Sequence, residues 1–338
     1  MRNDPRINRP LVYVSVLNWN GAEATLACLA ALLATEIESV DVRYVVVDNG
    51  SSAEDRKRLR EGCSGLPTVL VENERNLGFA GGHNAIIERA IGDGADYIWL
   101  VNNDCLVTPD TLAALYALIS TDTACGVVSP MIVAQHDNAV IDFCGAVHDW
   151  QKLDSVCAPS KEEGQLQYKQ RSADFFVYGT VPLIRVEALR VVGLLNNEYF
   201  AYYEDDDFCT RLSRAGWSIQ MEFDTVVHHC RHKSYLDDKP PYFFYLMARN
   251  SMFFYVRYTP KPYRRFIRLR LAIRSMILAQ KFLVKGYPDK ANACLRGALD
   301  GLLGISGPPR TNVPTPKWFS WLARSCPYRF QRWLETRV

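Results

Sequence analysis

In the first hundred residues the apolar positions come in short unbroken runs, not in alternation. Residues 11–17 (Leu-Val-Tyr-Val-Ser-Val-Leu), 43–47, 68–71 and 97–101 are such runs. Near-continuous apolar strands are those covered on both faces, as in a parallel sheet. Between them the spacing turns helical: over residues 22–34, after a Ser51-Ser52 pair either of which could cap a helix, and from the glycine-rich turn through about Ala90. Strands alternating with helices predict an α/β, doubly wound sheet. Ligands of such sheets sit beyond the carboxyl ends of the strands. The segments expected there are Asn18-Trp-Asn-Gly21, Asp48-Asn-Gly-Ser-Ser52, Asn76-Leu-Gly-Phe-Ala-Gly-Gly-His-Asn84 and Asn102-Asn-Asp104.

The second half reads differently. Gly179 and Thr180 precede a strand in which Pro182 cannot donate to a ladder, so an edge or bulged strand is expected. Residues 186–192 read as a short helix stopped by Gly193, and the polar passage 149–170 as a mobile loop. From Tyr199 onward aromatic residues run into four acids, Glu204 to Asp207. Phe208, Leu212 and Ala215 then fall at helical spacing before Gly216. Acids at a helix start can simply complement its dipole. Their company suggests more: strand-end carboxylates and a glycine-rich turn upstream, and His228-His229 downstream, together read as a catalytic base facing a metal-held phosphate. Residues 217–223 and 225–229 are strand-like. From Lys239 to Pro288 there is no acid, while arginines, lysines and apolar residues interleave. That pattern suits either a membrane interface or a helical subdomain with a solvated basic face. No nucleic-acid recognition motif accompanies the charge, so no nucleic-acid partner is expected.

Composition narrows the class. With 338 residues, 48% hydrophobic and 22% charged, the chain is globular and not disordered. Ten cysteines without C-x-x-C pairs indicate reduced thiols in a cytoplasmic protein, not a disulfide framework or zinc site. The first ten residues are polar, unlike a signal peptide. No apolar run reaches the roughly 18 residues that span a bilayer. A protein without a span, attached to a membrane at most at its surface, is expected. The order Gly78, Gly81, Gly82 is not the G-x-G-x-x-G of a nicotinamide site.

Taken together, Leu17-Asn-Trp-Asn-Gly21, Val46-Val-Asp-Asn-Gly-Ser51, Asn76 to Asn84, Asn102-Asn-Asp104 and Tyr203-Glu-Asp-Asp-Asp-Phe-Cys209 resemble the family 2 inverting glycosyltransferases. The nearest subgroup is the rhamnosyltransferase-like enzymes of bacterial surface polysaccharides, and the likeness runs over residues 10–258. It implies a GT-A fold, a nucleotide-sugar-binding doubly wound mixed sheet with a C-terminal helical extension. Residues 1–238 would form the transferase domain, and 239–338 a basic, aromatic region facing the acceptor or a membrane surface. By the same resemblance Asp48 would bind the pyrimidine edge, and Asp104 with His229 would hold Mg²⁺ or Mn²⁺. Asn18, Asn20, Asn76, Gly78, Gly82, Asn84, Asn103, Gly179 and Arg249 would contact the nucleotide sugar. Asp205 would be the general base, with Glu204 as its helper. Two departures stand out. The usual D-x-D reads Asn102-Asn103-Asp104, leaving one anionic ligand, and Cys230-Arg-His-Lys233 replaces a small, glycine-rich loop.

The implied reaction moves a sugar, with rhamnose as the named candidate, from a dTDP- or UDP-linked donor to a hydroxyl of a glycan or lipid-linked glycan. It would be a metal-assisted single displacement, peripheral at the inner face of the plasma membrane. Two alternatives accompany it. One is a catalytically silent glycan-binding or scaffold protein. The other is a sugar nucleotidyltransferase, which needs a basic, glycine-rich phosphate turn that Asn18-Trp-Asn-Gly21 does not supply.

Overall fold

The computed structural model describes residues 9–135, 137–230, 238–325 and 327–328. In order they form β1 (Leu11–Asn18), α1 (Ala22–Leu33), β2 (Asp41–Asn49), α2 (Ala53–Cys63), β3 (Thr68–Asn73), α3 (Gly78–Gly92), β4 (Tyr97–Asn102), β5 (Cys105–Leu106), α4 (Thr111–Thr121), β6 (Cys125–Ala134) and β7 (Asp137–Phe143). There follow β8 (Ala146–Asp149), β9 (Asp154–Cys157), α5 (Lys161–Arg171), β10 (Phe175–Phe176), β11 (Leu183–Arg185), α6 (Val186–Val192), α7 (Glu204–Arg214) and β12 (Ser218–His229). The chain ends in α8 (Pro241–Tyr258), α9 (Ile267–Val284), α10 (Pro288–Leu303) and α11 (Lys317–Ser325). It divides into two compact units. The first is drawn from residues 1–147, 156–196 and 205–233, the second from 148–155, 197–204 and 234–338.

The first unit is built on a mixed sheet in the order β3-β2-β1-β4-β11-β6-β12-β5, with β7 beside β6. β1 runs parallel to β2 and β4, β2 parallel to β3, and β12 parallel to β6. Val12, Val14 and Val16 of β1, Val45 to Val47 of β2 and Ile98 to Val101 of β4 are all buried. Burial on both faces explains why these strands read as continuous apolar runs. Register sets the site: Asn18 pairs with Asp48 and Leu17 with Asn102, so three loops leave the sheet at one level.

Three expectations need correction. β11 is not an edge strand; it lies antiparallel between β4 and β6. Pro182 is tolerated because it stands just before the strand, where its carbonyl accepts from Leu100 N at 3.0 Å and no N–H is required. The passage 149–170 is not a loop, for it contains most of α5, capped by Ser160, whose hydroxyl accepts from Glu163 N. That helix is polar almost all round and buries only Gly164 and Gln167, so no apolar period announces it. The two strand-like pieces before His229 are one strand, β12, with a register shift between Glu222 and Val226.

In the second unit α8 to α11 enclose a core that includes Phe244, Tyr245, Leu246, Phe254, Tyr255, Leu271, Ala272, Ala279, Phe282 and Phe319. Helices α8 and α10 approach so closely that a Cβ on Gly297 would lie 2.2 Å from Tyr245 O. Many apolar positions of α9 are thus core positions. Among the described residues no helix is long and apolar enough to cross a membrane.

Candidate active site

The loop after β1 is knitted to the loop after β2. Asn18 is fully buried, and its amide nitrogen donates toward Asp48 Oδ1 at 3.1 Å, Ser51 Oγ at 3.1 Å and Asp55 Oδ2 at 2.8 Å. Its oxygen accepts from Gly21 N and from Thr25 Oγ1. Asp48 has no exposed surface; Oδ2 accepts from Ser51 N at 3.2 Å and from Arg56 Nε at 2.9 Å. Asn20 takes a left-handed backbone (φ 54°) and its side chain accepts from Ser52 N. Asn103 donates to Thr25 Oγ1 at 3.0 Å. Asn18, expected to contact the nucleotide sugar, has its amide engaged by the protein, because several polar groups converge where water is excluded. Asp55 and Arg56, which complete this network, carry no sequence signal beyond an ordinary charged helix start.

The glycine-rich turn is held in the same way. Asn76 Oδ1 accepts from Gly78 N at 2.8 Å, and Asn49 donates to Asn76 Oδ1 and to Gly78 O. Gly78 has φ 77°, a conformation glycine adopts without steric cost. Gly82 is a close approach, since a Cβ there would meet Leu17 Cδ1 at 2.5 Å. Asn84, also expected at the donor, has an amide that pairs both ways with Leu195, donating to O at 2.8 Å and accepting from N at 3.1 Å. His83, fully buried beside Ser15 Oγ at 2.9 Å, is pushed down to about 3 by desolvation and stays neutral.

Beyond β4 the structure brings Asp104 and His229 together. His229 lies opposite Cys105 in the antiparallel β12–β5 pair. Its Nε2 is 3.2 Å from Asp104 Oδ1 and its Nδ1 is 2.6 Å from Asp142 Oδ2. The imidazole is buried, whereas Asp104 keeps 39% of its side chain exposed. Burial opposes a charge on the ring, but hydrogen bonds to Asp104 and Asp142 outweigh it and raise His229 to about 9. Ligand atoms of Asp104, Cys105 and His229 all lie within 4.8 Å of one another. A carboxylate oxygen and an imidazole nitrogen at that separation suit a divalent cation. Asp142 sits on the far nitrogen, the place from which a carboxylate commonly orients a histidine that ligates a metal. Sequence alone could not find Asp142, because the contact exists only once β7 folds back on β6.

The acidic stretch opens α7. Asp205 Oδ2 accepts from Gly179 N at 2.9 Å, and burial lifts its carboxyl above the usual range despite that bond. Asp207, also buried, pairs with Arg211 Nε at 2.8 Å, and Arg211 binds Val192 O and Leu194 O. Glu204 is buried. Just before α7, Phe200, Tyr202 and Tyr203 all have φ between 66° and 73°. Three non-glycine residues in that region are costly and persist only where surroundings hold them. Within the second unit, Asn250 Nδ2 lies within 3.0 Å of the carbonyls of Tyr199, Ala201 and Tyr202. Arg249 donates to Tyr199 O at 2.8 Å and Gly307 O at 2.6 Å. Arg249, expected at the donor, is fully buried, and its bonds to main-chain oxygens hold this strained approach. The loop 230–233 beyond His229 falls, after Cys230, outside the described residues.

A mixed α/β sheet with acids and glycine turns at its carboxyl edge has the arrangement in which open α/β folds bind their ligands. The chain belongs to glycosyl transferase family 2, whose description it matches over residues 13–193. Over 192 residues it is 26% identical to the low-salt glycan biosynthesis hexosyltransferase Agl10 of Haloferax volcanii; that match covers 55% of this chain and 58% of the relative. Over 313 residues it is 27% identical to the N-acetylglucosaminyl-diphospho-decaprenol L-rhamnosyltransferase of Mycobacterium tuberculosis, covering 81% of this chain and 94% of that one. In three dimensions it resembles the mannosyltransferase of Pyrobaculum calidifontis solved with GDP-Man and Mn²⁺, at TM-score 0.57 and 16% identity over 88% of each chain. That likeness identifies the fold as GT-A.

Proposed function

We propose that this glycosyltransferase moves a hexose, with L-rhamnose the leading candidate, from a pyrimidine nucleoside diphosphate to a hydroxyl of a lipid-linked glycan, with inversion. The observation that carries the reading is the Asp104–His229 pair at the end of β4, braced by Asp142. Mg²⁺ or Mn²⁺ bound there supplies charge neutralisation for the departing diphosphate. Asp104 and His229 would hold that cation, and Asp142 would keep the imidazole turned toward it. The Asp48–Asn18–Arg56 network fixes the loop on which the base is read. Asp205 accepts the acceptor's hydroxyl proton as that oxygen attacks the anomeric carbon, and its raised pKa suits a general base. Its similarity to a hexosyltransferase and to an N-acetylglucosaminyl-diphospho-decaprenol L-rhamnosyltransferase supports a hexosyl or rhamnosyl donor and a diphospho-polyprenol acceptor.

Calorimetry with dTDP-, UDP- and GDP-sugars in Mg²⁺ or Mn²⁺, followed by an assay of nucleoside diphosphate release, tests this. Binding and turnover of a dTDP- or UDP-sugar is expected. Preference for GDP-sugars would overturn the pyrimidine assignment. Absence of binding to every nucleotide sugar would favour a silent glycan-binding protein.

A further inference from the structure

Charge in this chain is segregated. Overall 39 lysines and arginines face 37 acids, yet between Lys239 and Tyr328 there are sixteen basic residues and only two aspartates, Asp289 and Asp300. Asp300 is fully buried and paired with Arg296 at 2.7 Å, so it does not offset the surface charge. Lys261, Arg265, Arg268, Lys281, Lys317 and Arg324 are exposed.

The apolar residues of the same unit divide into two sets. Those of α8 and most of those of α9 pack into its core. A second set faces outward. Helix α11 turns Phe319 and Ala323 inward, and Gln280 of α9 donates to Ala323 O at 2.6 Å. Trp318, 58% exposed, and Trp321, 64% exposed, stand on the other side of the helix, with Lys317 and Arg324 at its two ends. One turn beyond Gln280, α9 ends in exposed Leu283 and in Val284, 89% exposed. Tryptophans at i and i+3 with flanking cations are poorly suited to bulk water. Their amphipathic rings favour a headgroup boundary, while the cations favour anionic lipid.

We propose that the Trp318–Trp321 face of α11, flanked by Lys317 and Arg324 on a strongly basic unit, docks on an anionic phospholipid surface. The argument from charge selects this occupant: a second copy of so basic a face would repel it. The proposal goes beyond the transfer reaction, since a lipid-linked acceptor can be met without the protein touching the bilayer. Vesicle binding is read without turnover, so its failure would leave the transfer assay untouched.

The test uses the full chain with phosphatidylcholine vesicles, with or without phosphatidylglycerol, in co-sedimentation at low and high salt. Binding should require phosphatidylglycerol and fall as salt rises. Brominated acyl chains should quench the tryptophan fluorescence. Trp318→Ser/Trp321→Ser should remove most of that quenching and weaken partitioning roughly tenfold or more. Lys317→Glu/Arg324→Glu should weaken it by a similar factor, since each surface cation contributes roughly fivefold. Circular dichroism and nucleotide binding should not change in either variant. Equal binding to neutral vesicles, no quenching in the parent chain, or unaltered partitioning of the tryptophan variant would overturn the proposal. So would an oligonucleotide that displaces the protein from vesicles at equal charge concentration, which would make nucleic acid the partner.

Discussion

Asp48 and Asp104 close strands that flank β1 on either side, and as sequence they look alike: an acid at the end of an apolar run. Their surroundings differ. Asp48 has no exposed surface and is held by Arg56, Asn18 and Ser51. Asp104 is partly open, across from an imidazole that a second carboxylate braces. The contrast recurs two residues apart in α7, where Asp207 is committed to Arg211 while Asp205 accepts from the main-chain N–H groups of Gly179 and Asp206. An acid whose oxygens are taken by side-chain donors builds the wall of a site. An acid that faces a histidine, as Asp104 does, or main-chain amides, as Asp205 does, is the kind that the proposed mechanism calls on.

The contrast predicts separable losses, and the largest is in stability. Asp48→Ala removes one partner of a buried pair and leaves Arg56, mostly buried, without its carboxylate. Breaking such a pair typically costs about 3 kcal/mol or more. Chemical denaturation should show that loss, with nucleotide affinity falling as the loop loosens. Asp104→Ala, at a partly exposed site, should move the denaturation midpoint less than Asp48→Ala, and mainly below about pH 9, where Asp104 faces a protonated His229. Equal midpoints for the two variants would erase the distinction between wall and site.

Next comes catalysis. Asp205→Asn should lower transfer by roughly a hundredfold while nucleotide binding stays near wild type, because a base is needed only as the acceptor attacks. Asp207→Asn should show the reverse, a loss of stability with less effect on rate per folded molecule. Near-wild-type turnover in Asp205→Asn would remove that residue from the mechanism.

The Asp104–His229 pair gives a smaller effect with a pH signature. In metal-free protein His229 titrates near 9, above the ordinary 6.5. A folded-state value raised in this way gives stability that is complete below about 6.5 and is lost as pH rises through about 9. Denaturation midpoints without metal should therefore fall across that window, and His229→Ala should flatten the fall. Metal must displace the ring proton, so Mn²⁺ affinity measured with nucleotide diphosphate present should rise over the same range. Asp142→Asn, which changes only the bracing carboxylate, should weaken Mn²⁺ about tenfold. Asp104→Ala should abolish the coupling between metal and nucleotide. Metal that binds as tightly without nucleotide as with it would contradict the site as described.

Much of this was legible in the order of residues. The apolar runs foretold β1 to β4, because strands covered on both faces need no alternation. Gly193 (φ 83°) and Gly216 (φ 88°) stand just past the ends of α6 and α7, where helix stops were expected. What escaped was tertiary. Whether Asn18, Asn84 and Arg249 meet a ligand or the protein depends on groups 30 to 111 residues away that only the fold brings near. Helix α5 escaped because its outward faces are polar and its burial rests on one glycine and one glutamine. The left-handed run before α7 escaped because aromatic residues do not announce a positive φ; its one sequence trace was the Arg249-Asn250 pair that holds it.

The smallest predicted effect divides the loop around Asp48 from the helix that follows it. The sequence left open whether Ser51 or Ser52 caps α2. Ser52 does so, its hydroxyl accepting from Asp55 N at 3.3 Å, in an exposed setting. Ser51 belongs to the wall: it is buried, and its Oγ accepts from Asn20 N at 2.9 Å and from the Asn18 amide at 3.1 Å. Replacing a capping serine by alanine typically costs about 1 kcal/mol, and a long, exposed bond belongs at the low end of that range. Ser52→Ala should therefore shift the denaturation midpoint slightly and leave nucleotide affinity alone. Ser51→Ala removes an acceptor from two donors in the network, where a buried unsatisfied group costs about 1–3 kcal/mol. It should reduce both stability and nucleotide affinity. If the two variants lose affinity equally, the helix start and the loop act as one element, and the boundary drawn around Asp48 is in the wrong place.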